Sequence, residues 1–128
     1  MCGRYSLVTD TRGQVFKLVL KGSGISHEPR YNIAPTQQVV TAVNNDGENQ
    51  ARYMRWGLML FWAKDAKIGN RMINARSETL AESKVLKQPL EKRRCLILTG
   101  GFYEWFKEGK RIVMGTCEPF AFAGLWSR

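Results

Sequence analysis

The stretch Gln38-Val39-Val40-Thr41-Ala42-Val43-Asn44-Asn45-Asp46-Gly47-Glu48-Asn49-Gln50-Ala51-Arg52-Tyr53-Met54-Arg55 decides the fold class. Gln38 to Val43 is dense in β-branched residues and reads as a strand. Asn44-Asn45-Asp46-Gly47 is a turn signal, and Ala51 to Leu60 reads as the returning strand. Working outward toward the C-terminus, Cys95 to Leu98 is a compact apolar strand that leads into Gly100-Gly101. Phe102 to Phe106 and Arg111 to Met114 flank Lys107-Glu108-Gly109-Lys110, which predicts a second hairpin. Pro119 to Trp126 closes the series. Toward the N-terminus, Val15, Phe16, Val19 and Leu20 fall at helical spacing after Thr9 or Asp10 as N-cap, and Gly22 ends that helix. A loop containing Tyr31-Asn32-Ile33-Ala34-Pro35 follows. Glu78 to Leu86 is a short helix candidate stopped by Pro89. Hairpins dominate, so the expected class is α+β with a mainly antiparallel sheet and a few short helices.

With 128 residues, 44% hydrophobic and 24% charged, the chain has ordinary globular composition and the size of one domain, expected to span 1–128. No internal repeat or low-complexity tract divides it. No run approaches the roughly 20 apolar residues of a spanning helix, and no basic flank precedes an apolar run at the N-terminus, so a cytosolic protein is expected. Cys2, Cys95 and Cys117 are three cysteines without CxxC spacing, which suits reduced thiols and gives no structural metal site. Nothing calls for a cofactor.

The net charge of +9 is unevenly placed: residues 1–50 hold five basic and four acidic side chains, whereas residues 51–128 hold fifteen and seven. A polyanion such as nucleic acid accounts for that positive surface, since neutralised phosphates release counterions. The last segment, Phe120-Ala121-Phe122-Ala123-Gly124-Leu125-Trp126, is apolar on both alternate faces and predicts a strand buried inside a sheet. The chain stops two residues later at Arg128. It therefore reads as C-terminally truncated, or as a chain that associates through this strand.

Met1-Cys2-Gly3-Arg4 carries the chemistry. Removal of Met1 makes Cys2 the N-terminus, with an amine and a thiol on one residue. An α-amine of reference pKa roughly 7.7–8.0 is partly neutral at pH 7 and condenses with a carbonyl to an imine. Intramolecular attack of the thiol then closes a five-membered thiazolidine. A 1,2-aminothiol is thus a trap for aldehydes.

Cys2-Gly3-Arg4-Tyr5, Arg30-Tyr31-Asn32-Ile33-Ala34-Pro35, Arg55-Trp56-Gly57-Leu58, Ile73-Asn74-Ala75-Arg76-Ser77-Glu78-Thr79 and Gly101-Phe102-Tyr103-Glu104-Trp105 occur in this order across nearly the whole chain. Together they resemble the SRAP domain family. The resemblance implies a barrel-like β core. It also implies covalent capture of abasic sites in single-stranded DNA: the N-terminal cysteine crosslinks to the ring-opened deoxyribose aldehyde, after an autocatalytic removal of Met1 that gave the family its peptidase name. Such a role fits a cytoplasmic protein, nucleoid-associated in a prokaryote. The resemblance assigns Cys2, Asn74 and Glu104 to the active site. Glu104, in a glycine-preceded aromatic run, suits proton transfer during imine formation and ring closure. Asn74 suits a hydrogen bond to the Cys2 amine or a sugar oxygen. Arg4 and Arg76 lie inside matched motifs and suit phosphate contacts, while Trp62 and Trp105 suit base stacking. Lys92-Arg93-Arg94 reads as a solvated face.

The sequence departs from the family in lacking the downstream motif of the type His-Asp/Glu-Arg-Met-Pro. Its sole histidine, His27, lies in a loop and does not take that role. Two other classes compete. N-terminal-nucleophile amidohydrolases also open with Met-Cys-Gly, but use the thiolate on an amide and need an oxyanion hole. A non-catalytic basic DNA-binding module would leave Cys2 unused.

Overall fold

The computed structural model describes residues 2–8, 23–109, 111–115 and 119–127. The helix expected between Thr9 and Gly22 lies outside them. The central hairpin consists of β3 (Gln38–Asn45) and β4 (Glu48–Arg55), paired from Gln38↔Arg55 to Asn45↔Glu48. That register leaves Asp46 and Gly47 as the loop, with φ of 51° and 87°, the positive values that a type I′ turn requires. Asn44 braces it, its Oδ1 accepting the Gly47 N–H at 3.2 Å. The return strand ends at Arg55, five residues short of the expected Leu60. The Trp56 N–H turns back to the Gln37 carbonyl, and Gly57 takes φ 124°, where an added Cβ would lie 2.4 Å from the Gly69 carbonyl oxygen.

The segment expected as a loop around Tyr31 contains β2 (Arg30–Ile33), which pairs with β1 (Tyr5–Leu7). Strands this short show no readable periodicity; neighbours hold them, since β1 also pairs with β6 (Gly101–Trp105) through Tyr5↔Phe102. The remaining strands are β5 (Arg94–Thr99), β7 (Arg111–Met114) and β8 (Phe120–Leu125). The described strands form two four-stranded antiparallel sheets, ordered β2-β1-β6-β7 and β4-β3-β5-β8. They do not close into the barrel-like core that the resemblance implied: each sheet keeps two edges. β8 is one such edge, paired with β5 only. Its residues are half-buried, with Ala123 exposed, so it is not the doubly buried strand its composition predicts.

The chain passes from one sheet to the other at Thr99-Gly100. The fully buried Thr99 hydroxyl lies 3.2 Å from the Ser6 carbonyl and accepts the Gly101 N–H. Leu7 from β1, Ile33 from β2, Val40 from β3, Ala51 from β4 and Leu98 from β5 then share one core cluster with Tyr5. Burying a side chain of this size is worth roughly 1.5–3 kcal/mol each.

Among the described residues helical structure is sparse. A 3₁₀ helix covers Ala66–Arg71, with Asp65 Oδ1 accepting the Lys67 N–H. In place of one helix over Glu78–Leu86 there are two, α1 (Ser77–Leu80) and α2 (Lys87–Lys92). Ser83 interrupts them by accepting the Leu86 N–H on its hydroxyl, the local competition that serine offers to helix propagation. Pro89 does not stop a helix but sits in the first turn of α2, where its missing N–H would have had no intrahelical partner.

Candidate active site

Cys2 precedes β1, half-buried against the core cluster. Its Sγ donates to the Arg4 carbonyl at 3.2 Å, and the same carbonyl accepts the Tyr103 N–H at 2.9 Å. The nucleophile and β6 are thereby tied to one atom. Side chains alternate along β6, so Glu104 shares the inner face with Phe102, while Tyr103 and Trp105 face the other way. Burial raises the Cys2 thiol pKa above its ordinary value, and the negative charge of Glu104 raises it further. The thiol is held protonated at neutral pH.

Asn74 arrives by another route. The Trp56 indole N–H donates to the Ile73 carbonyl at 2.9 Å, and the Leu58 N–H donates to Met72. These bonds lay the segment after the 3₁₀ helix against the loop after β4. Asn74 Nδ2 then donates to the Cys2 carbonyl at 2.7 Å, across 72 residues of sequence. That bond fixes the backbone of the nucleophile.

Cys2, Asn74 and Glu104 all line one cavity of about 1320 Å³. Its lining includes Arg52, Arg55, Arg71 and Arg94 but a single described acid, Glu104, so the recess favours an anionic ligand. Arg52 and Arg71 were not singled out by sequence, because only the fold gathers these four; Arg55 sits in a family motif and Arg94 in the run read as a solvated face. Tyr5 also lines the cavity, with its hydroxyl buried and unpartnered. Its pKa is raised by burial, which keeps the phenol neutral.

None of the four expected DNA contacts is among the described residues that line this cavity. Arg4 is half-buried and donates from Nη1 to Asn32 Oδ1 at 3.0 Å. Arg76 is exposed beside a smaller hollow of about 530 Å³, whose Ala75 and Ser77 also line the cavity. Trp62 and Trp105 are 57% and 50% exposed and are not among the cavity's described lining residues. Trp105 packs against Tyr103, with centroids 6.4 Å apart, on the face opposite Glu104.

Elsewhere, His27 Nε2 lies 3.1 Å from the Leu7 carbonyl, a structural tie at the end of β1. The expected solvated face at Lys92-Arg93-Arg94 holds for Lys92 and Arg94, whereas Arg93 is half-buried and stacks over Trp126 at 5.9 Å. Among the described residues no group of three His, Cys, Asp or Glu side chains is placed to hold an ion, and no helix is long and apolar enough to cross a membrane.

The fold recurs in solved structures: a phage-related protein from Bordetella bronchiseptica superposes with a TM-score of 0.71 at 24% identity, over 97% of this chain and 60% of that one. Among curated proteins, the abasic site processing protein YoqW of Bacillus subtilis is 38% identical over 139 aligned residues, covering all of this chain and 61% of its own length. The rat abasic site processing protein HMCES is 36% identical over 89 residues, 60% of this chain and 25% of its own. The chain thus spans about three-fifths of the Bacillus relative it matches. The family model described as SOS response associated peptidase (SRAP) matches residues 1–128, and the chain belongs to that family.

Proposed function

We propose that this protein captures abasic sites in single-stranded DNA by forming a thiazolidine between Cys2, once Met1 has been removed, and the aldehyde of the ring-opened deoxyribose. The Cys2 amine adds to the aldehyde carbon and water leaves, giving an imine. Sulfur then bonds to that carbon, and the thiol proton passes to nitrogen. Glu104, lining the same cavity as Cys2, carries the protons in both steps. Asn74 holds the Cys2 carbonyl so that the amine and the thiol present together. Arg4 and Arg76 take the phosphates flanking the lesion, and Trp62 and Trp105 stack on bases beyond it. Removal of Met1 is a self-processing step at the same residues.

The observation that carries this reading is the convergence of Cys2, Asn74 and Glu104, distant in sequence, on one arginine-lined cavity. The names of the relatives, abasic site processing proteins, support it. The arginines that line the cavity favour it over an amidohydrolase, because phosphodiester DNA is an anion and a neutral amide substrate gives such a lining no role.

The test mixes the purified chain with a single-stranded oligonucleotide carrying one abasic site, beside an intact-base control and Cys2→Ala. The expected result is a heat-stable shifted band on a denaturing gel that needs both lesion and Cys2, with an intact mass lacking Met1. A folded, Met1-free protein that gives no such band overturns the reading. So does a heat-stable adduct from a variant with one residue inserted before Cys2, in which no ring can close.

A further inference from the structure

We propose that Asn32 is a positioning residue, which holds the Arg4 guanidinium toward the DNA phosphate beside the captured sugar. The inference rests on the reading above that the chain binds abasic DNA. Arg4 is the hub of the site: its carbonyl accepts both the Cys2 thiol at 3.2 Å and the Tyr103 N–H at 2.9 Å. A phosphate gripped by its side chain is therefore set in register with the sulfur through one residue. That register is lost if the guanidinium wanders, and a free arginine side chain has many rotamers to wander among. Asn32 supplies the restraint, its Oδ1 accepting from Nη1 at 3.0 Å.

The anchor is itself anchored. Asn32 lies in β2, where its neighbour Ile33 is buried and registered on Tyr5, and the Tyr103 hydroxyl donates to the adjacent Tyr31 carbonyl. The amide uses one of the five N–H donors of the guanidinium, and the rest of the fork remains available for a bidentate phosphate. Its neutrality matters as much as its place. A carboxylate at this position would hold the arginine equally well but would cancel the charge that the phosphate needs. Asn32 is exposed, so its removal leaves the core intact.

The experiment measures affinity for a single-stranded abasic oligonucleotide by fluorescence anisotropy across a salt series, in a Cys2→Ala background that prevents crosslinking. Crosslinking rates against DNA concentration are measured in the Cys2-containing chain. Asn32→Ala is expected to weaken affinity by about three- to tenfold, the net value of one ordinary, solvent-exposed hydrogen bond. It should raise the DNA concentration for half-maximal crosslinking while leaving the saturating rate unchanged. Placed on Arg4→Ala, the same substitution should do nothing further. Asn32→Asp, which keeps the acceptor, should fold as the parent does, bind more weakly, and flatten the salt slope by about 0.7. Unchanged affinity in Asn32→Ala, or a loss that persists without Arg4, overturns the proposal. If Asn32→Ala fails to fold, unchanged binding by Asn32→Asp overturns it instead. A parent chain that binds no abasic oligonucleotide at any salt sinks the proposed function itself, whereas normal binding by the parent and by Asn32→Ala sinks this inference alone.

Discussion

A half-buried thiol that shares a cavity with a carboxylate makes opposite demands on one charge, and the two effects of Glu104 can be separated. Its negative charge adds to burial in raising the Cys2 pKa, so Glu104→Gln lets the thiolate form at lower pH. Alkylation of Cys2 by iodoacetamide at pH 8 should then be faster in the variant. Crosslinking should be slower by about 100-fold, the lower end of what a lost proton carrier costs. Slower alkylation, or both rates moving together, counts against the proposed role. Asn74→Ala removes one hydrogen bond to the Cys2 carbonyl, worth about 1 kcal/mol, and should slow crosslinking about fivefold with little change in melting temperature. Cys2, Asn74 and Glu104 could be singled out because each sits in a recognisable motif, and the fold brings all three to one cavity. The Asn32–Arg4 bond and the cavity arginines were not, because spacing along the chain says nothing about which side chains a two-sheet fold makes neighbours.

At the scale of elements, the β3–β4 hairpin was readable because Asp46-Gly47 suits only a narrow class of turn. The turn into β3 follows no such rule. Thr36, a β-branched residue, holds φ 75° and is fixed there because its N–H donates to the Trp56 carbonyl. The left-handed region is costly for such a residue, and Thr36 is exposed. Thr36→Asn should therefore stabilise the protein by about 0.5–1 kcal/mol, read as a melting temperature higher by a few degrees; a lower one would mean the strain is offset by contacts of the threonine. Gly57→Ala should do the reverse, since its Cβ would meet the Gly69 carbonyl. A loss of about 2 kcal/mol or more is expected in urea unfolding, with Asn74 dislodged and crosslinking reduced in step. The short strands β1 and β2 and the split helix escaped notice because a few residues carry too little pattern: a distant neighbour such as Phe102 decides the state of β1, and a local side-chain bond from Ser83 divides the helix.

For the whole molecule, the excess of fifteen basic over seven acidic residues beyond position 50 has a place to act, because Arg52, Arg55, Arg71 and Arg94 border the cavity that holds Cys2. Engagement of roughly four phosphates would make log affinity for single-stranded DNA fall with log salt at a slope of about −3. A slope near zero in the anisotropy series would leave the charge without a role in binding. The two-sheet topology has a temporal side as well. Tyr5 finds Phe102, and Ser6 finds Thr99 across 93 residues, so β1, which β2 can pair earlier, gains its second neighbour only when almost all of the described chain exists. At synthesis rates of about 5–20 residues per second, a nascent amino terminus waits roughly 5–20 s before Glu104 emerges. On the proposed self-processing, Met1 masks the reactive amine throughout that interval, and ribosome-stalled chains ending before residue 104 should retain it. The initiator methionine then acts as a safety catch, released only when the newborn chain has finished folding around the group it guards.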